Sequence, residues 1–146
     1  MKKKTVAPNG PRPFQRIQNE SREDYVEAIY FLTQKHRRPI RAIELADYMD
    51  FSKASISRAL VALKGEDLVS ADENRFLSLT EKGRREAERI VEKHTFFQLF
   101  LVSLGVDEET ANREACQLEH VISDETFEKL RRGTAAMLAE TEEGET

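Results

Sequence analysis

Cys116, Glu119 and His120 stand at positions i, i+3 and i+4 of one segment. If that segment is helical, a thiolate, a carboxylate and an imidazole share one face within reach of a single cation. Asp24 and Glu27, at i and i+3, place two more carboxylates on one side of an earlier helix. His94 falls on the apolar stripe of a third, with Ala87, Ile90, Val91 and Phe97, where a hydrophobic core has no use for an imidazole. Singly, each has a plain structural explanation: a core histidine with its hydrogen bonds made, acids serving a helix dipole, a cysteine packed as a small hydrophobe. Together, on three helices that converge, they would bind a divalent transition metal. The donor set is mixed. Carboxylate oxygens favour Mn2+, a thiolate favours Fe2+, Co2+ or Zn2+, and imidazole accommodates them all.

A second group carries different chemistry. Ser52, Lys53, Ala54, Ser55, Ser57 and Arg58 open a short helix, and Arg75 closes the turn Asp72-Glu73-Asn74-Arg75. Small residues at a helix N-terminus let the backbone approach phosphate, and the helix dipole favours the anion. Arg58 has the reach and the fork geometry for a base edge, and Arg75 for the adjacent backbone or minor groove.

The elements that position these residues follow from periodicity and caps. Ser21 reads as an N-cap ahead of a helix with the stripe Tyr25, Ile29 and Leu32, ending before Arg38-Pro39. A second helix spans about Ala42 to Met49 and should bury Ile43, Leu45, Ala46 and Tyr48. Ser52 caps a third, about Lys53 to Lys64, with Ile56, Leu60 and Leu63 inward. Two short strands, Leu68–Ala71 and Phe76–Leu79, make a hairpin. A long helix from Thr80 ends at Gly105, a fifth runs from Asp107 to about Val121, and a sixth from Ser123 to about Leu130. The expected fold is mainly α: a basic arm over 1–20, a winged helix-turn-helix over 21–80, a helical domain over 81–138 and an acidic tail over 139–146.

Net charge is −4, from 23 Lys and Arg against 27 Asp and Glu, but the distribution is uneven. Lys35, Arg37, Arg38, Arg41, Lys53, Arg58 and Lys64 concentrate in the first half, and acids dominate beyond Asp107, so the first half could meet phosphate and the second a cation or simply water; two ordinary solvated faces would read the same way. No apolar run reaches the ~18 residues of a membrane helix, and no hydrophobic stretch follows the basic N-terminus, so the chain is expected in the cytoplasm without a membrane partner. One cysteine leaves no intramolecular disulfide. No separate nucleophile, phosphate loop or pocket for a small organic substrate is evident, so an enzyme is not expected.

Glu23-Asp24-Tyr25-Val26-Glu27-Ala28-Ile29-Tyr30, SKASISRAL (Ser52–Leu60), LTEKGR (Leu79–Arg84) and ACQLEHVISDET (Ala115–Thr126) together resemble the diphtheria toxin repressor family of metal-dependent regulators. The match runs in order from Ser21 to Leu130, and the chain is similar to the short, manganese-responsive branch. The resemblance implies a winged-helix DNA-binding domain, a helical metal-binding and dimerisation domain, and a homodimer that represses transcription at a palindromic operator in double-stranded DNA to control manganese or iron homeostasis. It implies a metal site of Asp24, Glu27, His94, Cys116, Glu119 and His120, with Mn2+ as corepressor, Fe2+ as the alternative, and Zn2+ or Co2+ binding in vitro. Cys116 departs from the carboxylate of many manganese members. Gln98 and Asn112 stand where the iron-type second site has Glu and His. Other readings are a metalloenzyme, a metal-independent winged-helix regulator sensing a small ligand, and a protein-interaction module.

Overall fold

The computed structural model describes residues 13–144, with side chains from 22 to 136. Six helices and two strands follow in the order α1 (Pro13–His36), α2 (Ala42–Met49), α3 (Lys53–Gly65), β1 (Val69–Ala71), β2 (Leu77–Leu79), α4 (Glu81–Ser103), α5 (Glu108–Val121) and α6 (Asp124–Gly144). The chain divides within α4, between Arg89 and Ile90, into two compact units.

The first unit is a helix-turn-helix with a wing. Val26, Ile29 and Leu32 of α1, Leu45 of α2, Ile56, Leu60 and Leu63 of α3, and Leu68 and Leu77 around the hairpin form one core. Each buried Leu or Ile contributes about 1.5–3 kcal/mol. The turn between α2 and α3 is set locally. Asp50 adopts the left-handed conformation (φ 55°) at the end of α2, and the Ser52 side chain accepts a hydrogen bond from the Ser55 amide at 3.1 Å to start α3. At the start of α2, the Arg41 amide donates to Glu44 Oε2 at 2.6 Å, and Arg38 donates to both Glu44 oxygens.

β1 and β2 pair antiparallel with Ser70 opposite Ser78. Ile40, between α1 and α2, adds a bridge to Leu77 through reciprocal backbone hydrogen bonds of 3.1 and 2.6 Å. The hairpin turn is built by Asp72, whose carboxylate accepts from the amides of Asn74 and Phe76, both at 2.9 Å, while Arg75 takes φ 64°. The start of α4 is pinned to the corner between α3 and β1. The Thr80 hydroxyl donates to Asp67 O at 2.6 Å and accepts from the Gly83 amide at 3.0 Å. A Cβ on Gly83 would lie 2.1 Å from the Leu68 carbonyl oxygen, so only glycine allows this approach.

The second unit packs the later part of α4 with α5 and α6 around Phe97, Ala115 and Phe127. Phe96 meets Phe127 edge-on with centroids 5.4 Å apart. Gly105 (φ 96°) ends α4, with its amide bonded to Val102 O and that of Val106 to Leu101 O. Asp107 caps α5, and the Thr110 amide holds its carboxyl below the usual range. Lys93 is buried and ties α4 to the corner between α5 and α6, donating to Ile122 O at 2.9 Å and pairing with Asp124 at 2.7 Å.

Three expectations are corrected. α1 starts at Pro13 and so takes in the later part of the expected 1–20 arm; Pro suits a first helical position, and neither Gly nor Pro interrupts the chain from there to Pro39. Residues 1–12 lie outside the described part. α6 continues to Gly144, because the Ala- and Glu-rich segment after Leu130 favours helix. Ile43 and Tyr48 are 41% and 52% exposed, because α2 turns only Leu45 and Ala46 fully inward.

Candidate metal centre and DNA-reading surface

In the second unit, α4 supplies His94, and α5 supplies Cys116 and Glu119 one turn apart. One donor atom from each of the three lies within 4.8 Å of the other two. His94 Nδ1 is 2.8 Å from Glu119 Oε2, and Cys116 Sγ is 3.6 Å from the same nitrogen. For metal–ligand bonds of about 2.0–2.3 Å, donors ~3–4 Å apart share one cation, so nitrogen, sulfur and oxygen here fit a transition metal. The Glu119 side chain is 1% exposed, while Cys116 is open to solvent. His120 follows on α5, its Nε2 3.3 Å from Glu119 Oε1. A carboxylate buried between two imidazoles is costly without a compensating charge, and a divalent cation supplies one.

Asp24 and Glu27 lie in the first unit on one side of α1. They edge a shallow depression lined also by Ala28, Phe31, Tyr48 and Met49. Next to Asp24, Tyr25 meets the Phe51 ring edge-on at 5.9 Å, and burial pushes its phenol up.

The sequence missed one partner of the cluster. Asn112, one turn before Cys116, places its side-chain oxygen 2.9 Å from His94 Nε2. Sequence spacing puts Asn112 on the face of Cys116, but only the packing of α4 against α5 reveals what it touches.

The expected DNA-reading residues lie together in the first unit. Ser52, Lys53, Ala54, Ser57 and Arg58 are exposed, and Ser55 is half-buried. Arg75 is exposed at the wing tip. The wing also has a support that sequence reasoning did not identify: the Arg41 guanidinium sits 4.2 Å from the centre of the Phe76 ring.

The geometry accords with the comparisons. Residues 80–135 match the iron-dependent repressor metal-binding and dimerisation domain. The chain is 40% identical over 114 residues to an uncharacterised HTH-type transcriptional regulator of Methanocaldococcus jannaschii, covering 77% of this chain and 91% of that one. It is 32% identical over 112 residues to the iron-dependent repressor of Mycobacterium tuberculosis, covering 76% of this chain and 48% of that protein. The solved structure of the manganese regulator SloR superposes with a TM-score of 0.67 at 30% identity, covering 78% of this chain and 53% of that one. The chain thus spans about half the length of these last two relatives. None of the described helices is long and apolar enough to cross a membrane.

Proposed function

Because the chain belongs to the diphtheria toxin repressor family of metal-dependent transcription regulators, on its manganese-regulator-like branch, we propose that it represses transcription by binding operator DNA with a divalent metal as corepressor. The observation that carries this reading is the buried Glu119 carboxylate, flanked by His94 and His120 with the Cys116 thiol in reach. His94, Cys116 and Glu119 would hold the cation, and the resemblance adds His120, Asp24 and Glu27. The bound cation supplies positive charge to a donor set that is otherwise largely anionic. The winged helix-turn-helix would then read a palindromic site through Ser52, Lys53, Ala54, Ser55, Ser57, Arg58 and Arg75. The oxygen donors favour Mn2+, with Fe2+ as the alternative; Zn2+ would bind tightly in vitro on raw affinity. Two copies would pair through the second unit, where Leu99, Phe100 and Leu104 are exposed. The protein would work in the cytoplasm, where its DNA is.

The test is a duplex-binding titration with Mn2+, Fe2+ and Zn2+ against a chelator control. Metal-dependent binding is the expected result, and equal binding with chelator would refute the reading. Glu119→Gln should remove the metal response while the far-UV spectrum stays that of a folded helical protein.

A further inference from the structure

The His94 ring is held at both nitrogens. Nδ1 faces Glu119 Oε2 at 2.8 Å and Cys116 Sγ at 3.6 Å, while Nε2 faces Asn112 Oδ1 at 2.9 Å. An amide oxygen accepts and cannot donate, so the nitrogen opposite it must carry a proton. Nε2 is therefore the side that donates outward, and Nδ1 is the side turned to the thiol and the carboxylate, where a cation would take the place of any proton it carries. Asn112 is exposed, and its oxygen meets the ring nitrogen opposite the one that the thiol and the carboxylate face.

Resting on the metal reading above, we propose that Asn112 is a positioning residue: its side-chain oxygen holds the Nε2–H of His94 and so commits Nδ1 to the cation. Outer partners of this kind orient a ligating imidazole and fix its tautomer, and their loss lowers metal affinity by roughly 10–100-fold. A ring fastened in this way cannot bridge to a further cation through Nε2.

Long-range proton–nitrogen correlation spectra of the 15N-labelled full chain, with and without Zn2+, test this directly. The chain has three histidines, so the imidazole signals can be assigned. In the zinc-loaded wild-type protein His94 should keep its proton on Nε2, and the zinc-induced shift should fall on Nδ1. Asn112→Ala should mix the tautomers and weaken Zn2+ binding roughly tenfold or more in a competition titration. Asn112→Asp keeps an acceptor oxygen at the same place and should restore both the tautomer and the affinity. Asn112 is exposed, so both variants should unfold at temperatures close to wild type. Zinc shifting Nε2 instead, or Asn112→Ala keeping the tautomer and affinity of the parent, overturns the role given to Asn112 and leaves the metal site standing. No zinc effect on His94 in the wild-type chain overturns the metal reading itself and this inference with it.

Discussion

A charged group placed out of reach of water must find compensation in the protein, and two such groups organise the second unit. Glu119 meets His94 and His120, and Lys93 meets Ile122 O and Asp124. The lysine is structural. Lys93→Met keeps the bulk but strips the Ile122 carbonyl of its partner, and should cost about 1–3 kcal/mol in chemical denaturation. It should leave DNA contacts in the first unit unchanged. Glu44 offers a titratable counterpart on the surface. Arg38 and the Arg41 amide hold its carboxyl down from 4.5 to about 2. A depressed carboxyl stabilises the fold above its unfolded value, and the gain disappears as pH falls through the folded one. Wild type should therefore lose more stability than Glu44→Gln between about pH 4.5 and 2, by on the order of 1 kcal/mol after solvent screening. At this scale the sequence was informative about residue types. Cys116, Glu119 and His120 could be placed on one face by counting, and His94 stood out on its stripe. Asn112 looked like a mere mismatch, because its meaning lies across an interhelical gap that counting cannot cross.

Elements carry the proposed DNA-reading surface. α3 is short and anchored by Ile56, Leu60 and Leu63, which leaves Ser57 and Arg58 free to point outward. Arg58→Ala should weaken operator binding and flatten its salt dependence by about one unit of log–log slope if the contact is to phosphate. Metal affinity of the free protein should not change. The start of α4 depends on Gly83. An alanine there would push against the Leu68 carbonyl, which belongs to rigid backbone, so Gly83→Ala should lower the thermal midpoint by several degrees or prevent folding of the first unit. The caps at Ser52, Asp107 and Gly105 were legible because capping chemistry is local. The start of α1 and the end of α6 were not. Both segments are polar, and composition alone cannot separate an exposed helix from an extended arm.

For the molecule as a whole, the exposed apolar residues of the second unit are the feature that a lone chain does not explain. Leu99 and Leu104 are 65% and 67% exposed, beyond what the core of Phe97, Ala115 and Phe127 needs. Phe97 fills the intramolecular core while Leu99 faces out, because positions two apart on a helix point different ways. Leu99→Glu with Leu104→Glu should shift sedimentation from dimer toward monomer and weaken binding to a two-half-site duplex far more than to a single half-site. A dimer that persists unchanged would place the pairing surface elsewhere.

The bridge between Ile40 and Leu77 gives the wing a third strand-like neighbour supplied from the linker after α1. A pair of three-residue strands is marginal alone in water, so this tether decides how the wing breathes. In deuterium exchange, the Ile40 and Leu77 amides should be among the slowest of the hairpin region, while Glu73 at the tip equilibrates quickly. Such a wing would combine a stiff base with a yielding fingertip, suited to the proposed role of settling into a groove without loosening the three helices that carry it.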